Sequence, residues 1–269
     1  MLKDITLGQY FPGSSIIHRL DPRTKLIIVI LYIVALFLSK SFVSYGILLL
    51  FLIWCVAVSK VGLKAIVRGM RPLLFILIFT GVLNLFYNTK GTTLWEWRFL
   101  HITTGGIHTA FFMLLRVMLL VSGTFLLTYT TSPIRLTDGL ESLLGPLKRI
   151  HVPVHELAMM MSIALRFIPT LIEETDKIMS AQKARGADFD TGNLMQKARA
   201  MVPLLVPLFI SSFRRADELA TAMECRCYHG GEGRTKLHQL HYRSIDALAL
   251  IICIILFAVV IVAALGFGV

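Results

Sequence analysis

Five long apolar runs constrain what this 269-residue chain can fold into. They cover Leu26–Leu38, Phe42–Val58, Leu73–Tyr87, Ile107–Tyr129 and Ala247–Val269. Several approach or exceed the roughly 17 to 25 residues that an α-helix needs to cross a bilayer at ~1.5 Å per residue. Hydrophobic residues make up 56% of the chain and charged residues only 16%, unlike the composition of soluble domains. The sequence therefore predicts an all-α membrane protein with about five or more transmembrane helices.

Lysine and arginine are distributed unevenly among the segments that connect these runs. Alternate segments place 23 of the 27 basic residues on one side and three on the other, and Arg116 lies within a run. The positive-inside rule then predicts a cytoplasmic N-terminus and an extracellular C-terminus in a multi-pass cell-membrane protein. We interpret the net charge of +11 as this orientation signal and not as a surface for nucleic acid.

The segment from residue 132 to residue 243 differs from the rest of the chain. It holds twelve of the sixteen acidic residues, and charge and proline interrupt its apolar stretches, "HELAMMMSIALRFIP" and "ARAMVPLLVPLFISSF". These stretches leave a sixth and a seventh span open, but they favour long amphipathic helices at the inner membrane face. We therefore predict transmembrane helices in 1–131, a cytoplasmic helical region in 132–243 and a last transmembrane helix in 244–269.

Helical spacing predicts three helices in this cytoplasmic region. They are Leu136–Lys148, Pro153–Ala187 with a kink at Pro169, and Asn193–Tyr228 with bends at Pro203 and Pro207. On the second and third helices, Glu173 with Lys177 and Arg214 with Glu218 have the i,i+4 spacing of surface ion pairs.

The ends of the second and third predicted helices have matching sequences, "AQKARGAD" and "TAMECRCY". Aligning Arg185 with Arg226 also places Asp176 on Asp217. In one interpretation each arginine complements the dipole of its own helix, which contributes less than ~1 kcal/mol at an exposed site. In the other, two matched guanidinium groups bind two similar sites on a partner, since arginine keeps its charge and bonds carboxylates bidentately.

Four stretches resemble the transmembrane T component of energy-coupling factor (ECF) transporters. They are "LDPRTKL", "LRFIPTLIEE", "AQKARGAD" and "SSFRRADELATAMECRCY". The resemblance implies a prokaryotic membrane subunit that joins two ABC-type ATPases to a substrate-binding S component, for import of vitamins or trace metal ions. It also implies that two X-Arg-X motifs, Ala184-Arg185-Gly186 and Cys225-Arg226-Cys227, dock into the ATPases. The usual second motif of the family is Ala-Arg-Gly, so the chain departs from it on both sides of Arg226.

Contacts with the S component are predicted on the same helices, where flexible methionines suit a surface that accepts several partners. The predicted contact residues are Met159, Met160, Ile163, Phe209 and Phe213. We expect no cofactor on the chain itself, because it lacks the G-x-x-x-x-G-K-[ST] loop that cradles nucleotide phosphates. ATP and Mg²⁺ are expected to be used by the partner ATPases.

Two clusters of metal-ligand residue types have the wrong spacing for a metal site. His151, His155 and Glu156 do not form H-E-x-x-H, and Cys225-x-Cys227 lacks a second pair of ligands. We therefore predict neither a metal site nor a catalytic residue.

The alternative function is a self-contained permease or a membrane-embedded enzyme. A permease is expected to carry polar residues in several spans, whereas only Asn84 and Arg116 stand out here. For Arg116 two roles are open. It takes part in function, or it pairs with backbone carbonyls and holds the helices together.

Overall fold

The computed structural model describes residues 10–39, 41–87, 93–97, 100–187, 189, 193–231, 233 and 239–266. Within these residues the chain is almost entirely helical, which confirms the predicted all-α membrane class. The helices are α1 (Ile16–Arg19), α2 (Pro22–Leu38), α3 (Phe42–Ser59), α4 (Leu63–Tyr87), α5 (Thr104–Thr130), α6 (Pro133–Leu144), α7 (Val154–Ala184), α8 (Leu194–Cys225) and α9 (Ser244–Gly266). Strands β1 (Thr93–Trp97) and β2 (Leu100–Thr103) pair antiparallel between α4 and α5.

Five helices in the described part of the chain are long and apolar enough to cross a membrane. They cover Phe42–Ser59, Leu63–Phe86, Thr104–Thr130, Val154–Ala184 and Ser244–Ala264. The set includes α7, which the sequence favoured as a helix at the membrane face. It omits α2, whose 17 residues correspond to the predicted first span.

The chain divides into two compact units. One combines Gly8–Leu140 with Leu240–Val269, and the other contains Glu141–Gln239. The first unit holds helices α2 to α5 and α9, whose packed core includes Tyr45, Leu48 and Tyr129. The predicted domain boundaries at residues 131 and 243 stay a prediction.

Helix α4 begins ten residues earlier than its apolar run. Lys64, Arg68 and Arg71 lie between the second and third apolar runs, in a segment that the sequence predicts as a loop between spans. The structure instead places all three, exposed, on the first turns of α4. The helix continues through Pro72. Proline is tolerated within membrane helices because neighbouring groups satisfy the freed backbone carbonyl. The loop assignment was therefore wrong, although the basic residues still flank the apolar part of the helix.

The "LDPRTKL" stretch begins α2 and joins it to two other helices. Asp21 caps the helix by accepting the backbone N–H of Arg23 at 2.9 Å, and Pro22 occupies the first turn. Lys25 donates to the backbone carbonyl of Thr130 at 2.9 Å, which ties α2 to the end of α5. These bonds give the side chains of Asp21 and Lys25 structural roles.

The buried carboxylate of Asp246 connects the start of α9 to the start of α2. It accepts the backbone N–H of Asp21 at 2.7 Å and that of Arg243 at 2.8 Å. Only 1% of Asp246 is exposed. A buried carboxylate is stable only when hydrogen bonds compensate its lost hydration. Asp246 is therefore a structural residue at the junction of the first and last long helices.

Arg116 holds helix α5 against the end of α2 and the first turn of α3. Its Nε donates to the Tyr45 hydroxyl at 2.8 Å, and a terminal nitrogen donates to the backbone carbonyl of Ser39 at 3.2 Å. The guanidinium also lies 5.7 Å from the centre of the Phe37 ring. Because Ser39 ends α2, Arg116 satisfies a carbonyl that has no partner within that helix. The contacts favour the structural role for Arg116.

The helices predicted in the 132–243 segment are present with shifted bounds. The first begins at Pro133 and ends at Leu144, where the chain tightens into a 3₁₀ helix over Gly145–Ile150. The predicted end at Lys148 was therefore too late, because Gly145 and Pro146 disfavour a continued α-helix. Helices α7 and α8 run through their internal prolines, as predicted.

Candidate functional site

Helix α7 ends at the first predicted docking motif. It has 31 residues, a length of about 46 Å at ~1.5 Å per residue, and Arg185 is its C-terminal cap. Gly186 follows in the left-handed conformation with φ of +88°. The N–H of Gly186 donates to the Lys183 carbonyl at 3.0 Å, and that of Ala187 donates to the Gln182 carbonyl at 3.0 Å. These two bonds define a Schellman motif, which glycine favours because it has no Cβ.

Helix α8 ends in the same motif with different residues. Arg226 is its C-terminal cap, and Cys227 follows in the left-handed conformation with φ of +56°. The N–H of Cys227 donates to the Glu224 carbonyl at 2.8 Å, and that of Tyr228 donates to the Met223 carbonyl at 3.0 Å. Cys227 thus takes the backbone position that Gly186 takes in α7. The helix end is formed without a glycine, at an energetic cost of about 1–2 kcal/mol for a left-handed L-residue.

The match between the two helices extends into their last turns. The Ser180 hydroxyl donates to the Asp176 carbonyl at 2.7 Å, and the Thr221 hydroxyl donates to the Asp217 carbonyl at 2.9 Å. These four residues are the ones that align when Arg185 is placed on Arg226. The two segments therefore repeat each other in structure as well as in sequence.

Both candidate arginines project into solvent. Arg185 and Arg226 are exposed, and so are their neighbours Ala184, Gly186 and Cys225. Among the residues that the structure describes, neither guanidinium forms a hydrogen bond or an ion pair. Each therefore presents its full set of donors, which suits carboxylate and carbonyl groups of a partner.

Helices α7 and α8 pack antiparallel. Gly231, just after α8, lies against the ring of His155 in the first turn of α7, where any side chain at residue 231 would collide with it. Further along, Arg215 of α8 bonds Glu174 of α7 at 2.8 Å. Since the start of one helix meets the end of the other, the two arginine caps lie at opposite ends of the pair.

The ion pair between these helices was missed by the sequence analysis. The predicted i,i+4 pairs of Glu173 with Lys177 and of Arg214 with Glu218 are not formed among the described residues. An i,i+4 pattern indicates only contacts within one helix. The repeat gave a usable signal, because Glu174 and Arg215 occupy equivalent positions in the alignment.

The residues predicted to contact an S component lie on two different surfaces. Met159 and Ile163 line an open groove of about 690 Å³ that Arg226 also lines. Phe209 and Phe213 lie on the exposed face of α8, with 62% and 72% of their surfaces accessible, and Met160 is 55% exposed. The structure does not gather the five residues into one patch.

The residues of the histidine and cysteine clusters are not arranged like the ligands of a metal site. His155 lies 2.9 Å from a carboxylate oxygen of Glu141 through its Nδ1. Cys225 and Cys227 are exposed free thiols at the end of α8. In the described ranges, no three His, Cys, Asp or Glu side chains are grouped so that they could hold a metal ion.

Replacing Gly186 by Ala is expected to weaken the end of α7. The substituted Cβ would meet no neighbouring atom, so the cost is the left-handed backbone itself, about 1–2 kcal/mol. Hydrogen exchange of the amides at residues 186 and 187 should then be faster by roughly five- to thirtyfold. Conversely, Cys227→Gly should slow exchange of the amides at residues 227 and 228.

Gly145→Ala is the matched control for this experiment. Gly145 also has open space around its Cβ position, but its backbone is not left-handed. It should leave exchange at residue 186 unchanged. Equal effects of G186A and G145A at that amide would show that the helix end does not depend on the left-handed residue.

Comparisons with known proteins give a consistent result across nearly the whole chain. The sequence model of the CbiQ family, described as cobalt transport protein, matches residues 13–237. Three relatives carry the name energy-coupling factor transporter transmembrane protein EcfT. That of Thermosediminibacter oceani is 57% identical over 250 residues, 93% of this chain and 94% of the relative. That of Acidaminococcus fermentans is 56% identical over 257 residues, 96% of both chains. That of Bacillus subtilis is 47% identical over 258 residues, 96% of this chain and 97% of the relative.

Proposed function

The chain belongs to the CbiQ cobalt transport protein family and is a transmembrane component of an energy-coupling factor transporter, and on this premise we propose how it couples ATP hydrolysis to transport. In this proposal α7 and α8 are coupling helices. Their arginine caps bind two ABC-type ATPase subunits. Movements of the ATPases are transmitted along the helices to a membrane-embedded S component that binds a vitamin or another micronutrient.

The observation that carries the proposal is the duplication of one exposed arginine cap. Arg185 and Arg226 follow the same backbone motif at the ends of two helices that run in opposite directions. A partner with two similar subunits offers two similar binding sites, and two equivalent arginines at opposite ends match such a pair. If each arginine only complemented the dipole of its own helix, neither the repeated sequence nor the antiparallel packing of the two helices would be required.

In this proposal the partner subunits bind and hydrolyse ATP. The chain has no sequence that matches a phosphate-binding loop, so ATP and Mg²⁺ are bound by the ATPases. The chain contributes rigid helices and guanidinium groups, which transmit force and position the partners. It is therefore proposed to be a non-catalytic subunit.

The proposed S-component contacts are two separate surfaces, the apolar face of α8 and the start of α7. Val202, Leu205, Val206, Phe209, Ile210 and Phe213 recur at helical spacing and are each at least half exposed. A face of this size on a subunit of a multi-protein transporter suits a membrane partner. Met159, Met160 and Ile163 on α7 are proposed to add adaptable contacts. The caps are proposed to lie on the cytoplasmic side, as the distribution of basic residues predicts.

Purification of the tagged full-length chain from its native membrane tests this function. We expect two ABC-type ATPase chains and at least one small membrane protein to co-purify, and ATP hydrolysis to require the ATPases. The chain stripped of these partners should not hydrolyse ATP. Recovery of the chain alone with robust ATP hydrolysis would refute the proposal.

A further inference from the structure

One ion pair joins α7 to α8 at equivalent positions of the repeat. A terminal nitrogen of Arg215 lies 2.8 Å from a carboxylate oxygen of Glu174, and the two side chains are only 31% and 22% exposed. In the alignment that places Arg185 on Arg226, residue 174 falls on residue 215. The contact therefore connects a position to its own counterpart.

A contact between counterparts has a specific geometric meaning. In an antiparallel pair of similar helices, only residues near the two-fold axis that relates them can touch their own equivalents. Each arginine cap lies eleven residues after its member of the ion pair. At ~1.5 Å per residue the caps are each about 16 Å from the pair along their helices. The ion pair is thus at the centre of the arrangement, equally far from both ends.

Electrostatics explains why the two counterparts differ in charge. If the repeat were perfect at this position, two carboxylates or two guanidinium groups would face each other at a half-buried site, and like charges there repel. Glu opposite Arg replaces this repulsion with a charge-assisted hydrogen bond. Glu173 and Arg214, one residue earlier, carry the same charges but are exposed and form no pair among the described residues.

We infer that Glu174 and Arg215 form a central positioning pair that fixes the register of the two coupling helices and hence the spacing of Arg185 and Arg226. The inference rests on the proposed function of the two caps. A shift of one helix along the other would move the caps relative to each other and mismatch one of the two ATPase sites. The pair itself contacts no ATPase in this account. It acts through the distance between the caps.

Charge reversal with compensation tests the positioning pair in the full-length chain. Spin labels carried by unnatural amino acids at Lys177 and Glu218, two exposed equivalent positions, report the spacing of the helices. We expect E174R and R215E each to shift or broaden the distance distribution by several ångström. Each should also weaken the affinity of the purified ATPase pair about three- to tenfold. The double variant E174R/R215E should restore both readouts, because it recreates the pair in reverse.

The exposed neighbours provide matched controls. E173R and R214E make the same charge changes one residue away and should alter neither the distance nor the affinity by more than about twofold. Unchanged distances and affinities in E174R and R215E would overturn the inference, as would failure of the double variant to restore them. These variants could have no effect while loss of both arginine caps still releases the ATPases. That result would show that Glu174 and Arg215 are not a positioning pair, and it would leave the proposed function of the caps supported.

Discussion

Replacing both Arg185 and Arg226 by Ala is expected to abolish retention of the ATPases while the chain still folds and inserts. Both side chains are exposed at helix ends and form no bond within the described part of the chain, so their removal leaves the fold intact. In the assembled transporter each truncation would leave buried acceptor groups of the ATPase unpaired. Such a loss costs about 2–5 kcal/mol per site, equivalent to roughly 30- to 5,000-fold in affinity. Co-purification of the ATPases with the tagged chain measures the effect.

The single variants separate docking from a simple dipole effect. Arg185→Ala and Arg226→Ala should each lower ATPase retention, and Arg→Lys at either position should also be harmful, since Lys keeps the charge but not the bidentate fork. If the arginines only complemented the helix dipoles, Lys would substitute fully and Ala would cost less than ~1 kcal/mol. Normal ATPase retention in the double Ala variant would remove the basis of the proposed coupling.

Replacing Asp246 by Ala is expected to destabilise strongly the compact unit that holds helices α2 to α5 and α9. The carboxylate is 1% exposed and accepts backbone N–H groups from Asp21 and Arg243. Its loss leaves two donors without their partner, at about 1–3 kcal/mol each. The midpoint of thermal unfolding in detergent should fall by roughly 5–15 °C. Asp246→Asn should be milder, because its amide oxygen can still accept one of the two bonds.

An exposed carboxylate gives the control for this measurement. Glu173 is exposed and has no ion pair within the described residues, so Glu173→Ala should change the unfolding midpoint by no more than a degree or two. A D246A protein as stable as E173A would show that the two hydrogen bonds contribute nothing net to the junction of α2 and α9.

The apolar runs predicted α3, α4, α5 and α9, four of the five described helices that are long and apolar enough to cross a membrane, because length and composition decide which segments can do so. Helix α7 was placed at the membrane face instead, because charges and a proline interrupt its apolar stretch. Observed helices α3, α5 and α9 begin within three residues of the predicted runs. The ends of α7 and α8 were also predicted within three residues. Gly186 and the glycines after Tyr228 are strong stop signals, since left-handed backbone favours glycine. Helix α4 was predicted too short, because its basic first turns have the composition of a loop.

The interactions between helices could not be predicted from the sequence in the same way. The partners of Arg116, Tyr45 and Ser39, are 71 and 77 residues away in the chain. The partner of Glu174 is 41 residues away. Local patterns report contacts within one turn or two, whereas these contacts depend on how helices pack. Only the repeat contained long-range information, because equivalent residues of an antiparallel pair approach each other at its axis.

The departure of the second motif from Ala-Arg-Gly is explained by the backbone. Cys227 adopts the left-handed conformation that Gly186 adopts in α7, and it forms the same pair of hydrogen bonds. The substitution therefore changes the energy of the helix end and keeps its geometry. Arg226 caps α8 in the same conformation in which Arg185 caps α7, with φ of −93° and −87°.

Site-specific photo-crosslinking in the intact complex tests the central claim that each cap binds one ATPase. A photoreactive amino acid placed at Ala184 or at Cys225 would lie beside one of the two arginines on an exposed surface. The same group at Gly145, an exposed residue of the 3₁₀ helix, serves as the control. We expect each cap position to yield an adduct with the mass of the chain plus one ATPase, and position 145 to yield none. Adducts from neither cap, in a complex that still contains both ATPases, would show that the caps do not bind the ATPases.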